Sequence, residues 1–269
     1  DHRRDGRGRA VDHGQRPGGA FHRGLVCRAS GQAAGSGAKL VALPEYFCFM
    51  GRRDADKLAL KEMPGKGPIQ DFLAQQAHRH GIWLVGGTLP LDADEPDRIY
   101  NSCLVYDPDG NQAARYDKIH LFGFRKGQES YDESLSIRPG QNAPQTFMAP
   151  CGRVGLSICY DLRFPEFFRA IGDVNLLVLP AAFTYTTGSA HWEILLRARA
   201  IENQCYVVLS GNVGNLPKVQ NMDIQYAQSC ILTPCDFHFA RDGIAADTTP
   251  NVEMVAIADV QLDSLAAAR

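Results

Sequence analysis

Three residues stand where apolar runs stop, and their side chains could combine into one nucleophilic reaction. Cys159 follows VGLSI and precedes YDLRFPEFF, so a strand gives way to a helix at the thiol. A nucleophile placed there projects into a crevice at the carboxyl end of a sheet, and N–H groups at the helix start can receive a developing oxyanion. A thiol beside a helix N-terminus also leans toward thiolate, its reactive form. Glu45 closes LVALPE, where a carboxylate can face the same crevice and take the thiol proton. Lys118, in YDKIHLF, follows a β-ribbon and offers an ammonium to the oxyanion. Each has an ordinary alternative: a structural buried cysteine, a solvated loop carboxylate, a solvated lysine.

The elements that must position these residues alternate along the chain. LVALPEYF reads as a buried strand and a loop. A helix is predicted from Pro68 to His80, with Pro in its first turn, Ile69, Phe72, Leu73 and Ala77 on one face, and Gly81 as its stop. IWLVGGT is a second buried strand. RIYNSCLVY and NQAARYDKIHLF flank DPDG and predict a β-hairpin. A polar stretch runs from Gly123 to Gly140. RVGLSICYD then leads into helical FPEFFRAIG, NLLVLPAAF is a buried strand, and SAHWEILLRARAIENQ is a helix. CYVVLS and NVEMVAIADV read as the closing strands. Strands and helices alternate without a linker after residue 39, which predicts one α/β domain over 39–269. Residues 1–38, crowded with Arg and Gly, read as an atypical segment, either disordered or mis-translated.

In order and spacing, LPEYF, YDKIHLF and ICYDLRFPEFFRA resemble the three signature segments of the nitrilase superfamily of carbon–nitrogen hydrolases. The family's Glu–Lys–Cys triad falls on Glu45, Lys118 and Cys159. YDESLSIRPGQ is similar to the segment carrying its second active-site glutamate, here Glu133. The resemblance implies a four-layer α–β–β–α sandwich and a homodimer or larger homo-oligomer. It also implies a thioester mechanism in which Lys118 and the Tyr160 N–H hold the oxyanion. No metal or other cofactor is implied. FTYTTGSAHWEILLRARAIENQCYVV is most similar to the branch containing deaminated-glutathione amidase and ω-amidase. GNVGNLPKVQNMDIQYAQSCILTPCDF and the segment after it resemble another branch of the same superfamily. The implied substrate is a small linear amide bearing a carboxylate, with Arg163, Tyr185 and His191 candidates to meet the anionic end. N-carbamoyl amino acids and nitriles are the alternatives on the same triad, and an impaired binding module is a third. Carbamoylases of the family carry a substrate-binding Arg three residues after the cysteine, where this chain has Leu162.

Composition narrows the partners. Of 269 residues, 22% are charged and the net charge is −2, which gives no basic footprint for nucleic acid or an anionic membrane. No run approaches the roughly 20 apolar residues that span a bilayer, so the expected compartment is the cytosol. The 8 cysteines include no Cys-x-x-Cys pair, and those other than Cys159 read as free thiols in apolar surroundings. His78-Arg-His80 has the form of a metal-hydrolase ligand pair, yet it ends an amphipathic helix and reads as a solvated terminus. Gly155-Leu156-Ser157-Ile158-Cys159 has the outline of a serine-hydrolase elbow, with Ser157 read as a buried small residue inside the sheet. Gly211-Asn212-Val213-Gly214-Asn215 lacks the strand–helix setting of a phosphate loop.

Overall fold

The computed structural model describes residues 23–49, 54–127, 129–212, 228–234, 239, 242–249 and 254–269. The chain runs through α1 (Arg23–Gly35), β1 (Leu40–Ala42), α2 (Pro68–His80), β2 (Trp83–Val85), β3 (Leu89–Asp92), β4 (Ile99–Tyr106) and β5 (Gln112–Asp117). A small hairpin of β6 (Gly123–Lys126) and β7 (Glu129–Asp132) follows. The second half comprises β8 (Thr146–Ala149), β9 (Gly152–Leu156), α3 (Pro165–Ile171), β10 (Leu176–Ala181), α4 (Tyr185–Asn203), β11 (Tyr206–Gly211), β12 (Cys230–Leu232), β13 (Ile244–Asp247) and α5 (Leu262–Ala268).

Two sheets stack face to face. In the first, β1 lies parallel to β2, while β2 and β3 share one edge of β4 and β5 takes the other, all antiparallel to it. The second has the order β13-β12-β11-β10-β9-β8, with β9, β10 and β11 parallel. Every residue of β10 is buried, because a central parallel strand is covered on both faces; that is why NLLVLPAAF is continuously apolar rather than alternating. Between the sheets, Val85, Cys103, Val105 and Tyr116 meet Val154, Leu156 and Leu177 in one core, and the Trp83 and Phe147 rings stack at 5.4 Å. α1 and α2 pack on the first sheet and α3 and α4 on the second, which gives the expected four-layer α–β–β–α sandwich.

α2 runs over the residues its sequence predicts. Pro68 opens it, and the buried Glu62 carboxylate accepts the free N–H groups of Ile69 and Gln70. Gly81 closes it at φ 60, the left-handed cap that glycine adopts without a Cβ penalty. The His78–His80 pair stands in its last turn, and among the described residues no cluster of His, Cys, Asp and Glu could hold a metal ion.

Two expectations need correction. Residues 23–35, placed by composition in the atypical segment, form α1, with Val26, Ser30 and Ala33 on its buried face. Small side chains make up most of that face, so it carries little hydrophobic signal while still packing on α2. Residues 1–22 lie outside the described residues. The polar stretch after Gly123 contains the β6–β7 hairpin, which delivers Glu133. The described part of the last predicted strand, 254–260, has no regular structure. Alternation makes a strand only where a ladder partner lies alongside. This segment instead borders a cavity of about 730 Å³ whose other walls include α1 and β1, and among the described residues β1 pairs with β2 alone.

Candidate active site

Strand ends gather the reactive groups. Glu45 lies just past β1, Lys118 directly follows β5, and Glu133 opens a 3₁₀ turn after β7. Cys159 begins a 3₁₀ turn three residues beyond the end of β9. Gly87 lets the Glu45 loop approach: at φ +55, a Cβ on it would sit 2.1 Å from the Pro44 carbonyl oxygen. All four side chains are buried, with Lys118 1% exposed and Cys159 7%.

The Lys118 ammonium is held between two carboxylates. Its Nζ donates to Glu45 Oε1 at 3.1 Å and to Glu133 Oε1 at 3.0 Å. Glu133 Oε2 also accepts the Phe122 N–H at 2.7 Å, which fixes the second carboxylate in place. Glu45 has further restraints: Asn101 Nδ2 donates to Oε1 at 2.9 Å, the Ala182 N–H donates to Oε2 at 2.9 Å, and Asn212 Nδ2 holds the backbone carbonyl. The Cys159 thiol points at the Ala182 carbonyl, 3.8 Å away.

Charge bookkeeping in this closed space sets the protonation states. Burial alone would favour a neutral amine at Lys118, but Glu133 and Glu45 together outweigh it and hold its pKa well above the ordinary lysine value. Burial pushes Glu133 up, against the pull of Lys118. The Cys159 thiol is raised well above its usual value, first by burial and then by Glu45, with Lys118 opposing. The expected lean toward thiolate is therefore overturned: the short turn at Cys159 cannot offset burial beside two carboxylates. With the thiol protonated and both carboxylates ionised, the cluster carries one net negative charge. A proton passing from Cys159 to Glu45 leaves that charge unchanged, whereas outright loss of the thiol proton would bury a second negative charge.

The nucleophile turn is tied down on both sides. Arg199, 4% exposed, donates to the Leu162 carbonyl through Nε and Nη2 and lies over the Phe168 ring. Ser157 is buried and its hydroxyl donates to the Val178 carbonyl, as its reading inside the sheet implies. Tyr160 packs edge-on against Phe122 and Phe164, and Arg163 lies over its ring. Arg163 Nη2 is 2.8 Å from His191 Nδ1. A guanidinium can only donate, so His191 accepts at Nδ1 and carries its proton on Nε2. Tyr160, Arg163 and His191 thus form one group beside Cys159. Tyr185 begins α4, but its side chain lies outside the described residues.

Sequence reading missed Asn101, Asp161 and Arg199, and it missed the Ala182 peptide. Asn101 had a visible signal, an amide inside the otherwise apolar strand YNSCLVY. Ala182 had none, because its contribution is made by backbone atoms. The 730 Å³ cavity includes none of Glu45, Lys118, Glu133 and Cys159. Its charged lining groups are Arg28, Lys39 and Asp259, which make no nucleophile–base pair, so the cluster rather than the cavity is the candidate site.

A sandwich of two sheets with a buried Glu–Lys–Glu cluster and a cysteine at its strand ends defines the class, and the chain belongs to the carbon-nitrogen hydrolase family, whose model matches residues 22–269. It is 41% identical over 184 residues to the deaminated glutathione amidase of Yersinia enterocolitica, a match covering 66% of this chain and 64% of that protein. The chain thus spans just under two thirds of that relative. It is 36% identical over 248 residues to omega-amidase NIT2 of Xenopus tropicalis, covering 91% of this chain and 84% of that one. Among solved structures, the C. elegans NitFhit protein aligns with a TM-score of 0.78 at 34% identity, over 91% of this chain and 57% of that one. Nit3 of Saccharomyces cerevisiae, a nitrilase-superfamily member, aligns with a TM-score of 0.76 at 28% identity, over 94% and 89%.

Proposed function

We propose that the chain hydrolyses the C–N bond of a small linear amide bearing a carboxylate, through a thioester on Cys159. The observation that carries this is the Lys118 ammonium fixed between Glu45 and Glu133 with the Cys159 thiol alongside. Glu45 takes the thiol proton, and the sulfur attacks the amide carbonyl carbon. The carbonyl oxygen becomes an oxyanion that Lys118 Nζ and the Tyr160 N–H receive. Glu45 passes its proton to the nitrogen, the C–N bond breaks and ammonia leaves. A water that gives a proton to Glu45 then attacks the thioester. The acid departs, and the sulfur recovers its proton from Glu45. Glu133 keeps Lys118 charged and aimed.

Arg163 supplies the cationic side that a carboxylate-bearing acyl chain requires, with His191 holding its guanidinium through Nδ1, in keeping with the names of the amidase relatives. We read the chain as assembling with copies of itself, since Ile194 and Ile201, one heptad apart on α4, are 71% and 57% exposed. No described helix is long and apolar enough to cross a membrane, and every described cysteine is free, which suits a reducing compartment such as the cytosol.

The test is ammonia release from an α-keto-ω-amide, deaminated glutathione, an N-carbamoyl amino acid and a nitrile at equal concentration. Preference for either of the first two supports the reading. Preference for the carbamoyl compound or the nitrile overturns the substrate class, and no release from any of them overturns the enzymatic reading.

A further inference from the structure

Cys159 has φ 46, a left-handed backbone that is strained for a residue with a Cβ. A restraint must hold it there, and the neighbouring contacts identify one. Asp161 is fully buried, and its Oδ2 accepts the N–H of Ile158, the residue immediately before the nucleophile, at 2.9 Å. The same oxygen accepts the Tyr116 hydroxyl at 2.7 Å. Oδ1 accepts the His120 N–H at 3.2 Å and lies 2.7 Å from His120 Nδ1. Tyr116 Oη in turn accepts the Ile119 N–H at 3.2 Å. The His120 ring stacks on Phe164, at the end of the nucleophile turn, with centroids 3.7 Å apart.

One carboxylate therefore joins two segments that the reaction needs in register: the turn that begins with Cys159, and residues 116–120, centred on Lys118. Tyr116 is kept protonated, and so a donor, by burial first and by Asp161 second. A carboxylate has about four acceptor sites, and protein donors meet Asp161 from four directions. We propose that Asp161 is a positioning residue whose carboxylate sets the placement of Cys159 against Lys118. This rests on the reading of Glu45, Lys118 and Cys159 as the working set.

A carboxylate with a merely structural role would, once replaced, lower stability and leave each folded molecule as active as before. A positioning one changes the folded enzyme. The charged groups facing Cys159 are Glu45 from the loop after β1, Lys118 after β5 and Glu133 after β7. Those facing Asp161 are His120 and Tyr116. Lys118 is the group that favours the thiolate, so an ammonium that drifts away raises the pH at which Cys159 reacts. Loss of the Asp161 charge by itself would move that pH down, so the sign separates geometry from direct electrostatics.

The experiment compares Asp161→Asn and Tyr116→Phe with the native chain. Iodoacetamide alkylation of Cys159, located by peptide mass spectrometry, is followed from about pH 6 to about pH 10. Turnover is measured per folded molecule. Asp161→Asn keeps the shape but sets an NH₂ against donors, so kcat is expected to fall about 10- to 100-fold with KM within about threefold, and the alkylation profile to move to higher pH. Tyr116→Phe removes one donor without changing charge and is expected to shift both readouts in the same direction by less. Native kcat and a native or downward-shifted profile in Asp161→Asn would overturn the proposal. Should that variant fail to fold, a native profile and kcat in Tyr116→Phe would overturn it instead. Alkylation needs no substrate, so this outcome is separate from the amide panel.

Discussion

Glu45 and Cys159 meet the same peptide residue from two sides: Glu45 Oε2 accepts the Ala182 N–H, while the Cys159 thiol faces the Ala182 carbonyl. Ala182 directly follows β10, the strand between those that lead to the cysteine and to Asn212, so the second sheet sets the spacing of Glu45 and Cys159. The first sheet brings Glu45 and Lys118. The site therefore exists only where the two sheets stack, and its precision comes from the packed core beneath it.

Replacing Cys159 by Ala or Ser should remove turnover, with a loss of at least about 1,000-fold, because among the described residues no other thiol joins the cluster. Cys151, half-buried beside the turn into β9, should tolerate Ala with activity within about twofold. Rates of ammonia release from both purified variants check this, and substantial turnover by Cys159→Ala would exclude the thioester route.

Lys118→Ala should cost several orders of magnitude in kcat, since the ammonium acts on charge that develops in the transition state. It should also destabilise the fold by about 3–5 kcal/mol, because two buried carboxylates lose their shared cation. Kinetics together with urea unfolding measure the two effects. A variant of native stability whose loss lay only in KM would make Lys118 a substrate-binding residue.

Much of the candidate site was legible in the chain because its proposed catalytic groups occupy strand ends, and strand ends show as apolar runs that stop. VGLSI stops at Cys159, LVAL at Pro44-Glu45, and the β5 ribbon at Lys118. The same logic failed for 254–260, where VAIADV alternates as a strand does but has no ladder partner among the described residues. It failed for α1, whose buried Ser30 and Ala33 carry almost no hydropathy signal. It also failed for the thiol, because local position suggested thiolate and only the assembled cluster reveals burial beside two carboxylates. Pattern reports what a segment can bury; its charge state depends on what comes to lie next to it.

Alkali should weaken the fold before acid chemistry of the site is in question. Burial raises the Cys48 and Cys205 thiols from 9.0 to about 12, and Cys159 and Lys118 are raised as well. For a group whose folded pKa exceeds its unfolded one, the stabilising contribution is complete below the unfolded value and is lost as pH climbs through the folded one. Urea midpoints should therefore fall steadily between the ordinary thiol value of 9.0 and about 12. Cys48→Ala should flatten part of that slope, beyond any uniform loss from the cavity it leaves. A stability that stayed level across the window would mean the thiols are more exposed to water than their burial implies.

The Arg163–His191 pair makes the sharpest claim about substrate. Arg163 Nη2 donates to His191 Nδ1, its guanidinium covers the Tyr160 ring, and its Nε is buried with no partner. A guanidinium with an unused buried donor, next to the nucleophile turn, suits a carboxylate that arrives with the substrate. Arg163→Met keeps most of the stem that packs on Tyr160 and removes only the charge and its donors. For a carboxylate-bearing amide, KM should rise about 10- to 100-fold with a smaller change in kcat, because the contact is made before and during the reaction alike. For a neutral amide of the same length the variant should match the native enzyme, since no anion is left unpaired. His191→Ala removes the acceptor that holds Arg163 Nη2, so it should raise KM for the carboxylate-bearing amide in the same direction and by less than Arg163→Met does. Equal losses on charged and neutral amides would show that Arg163 only buttresses Tyr160, and the anionic end of the substrate would then have to be met elsewhere.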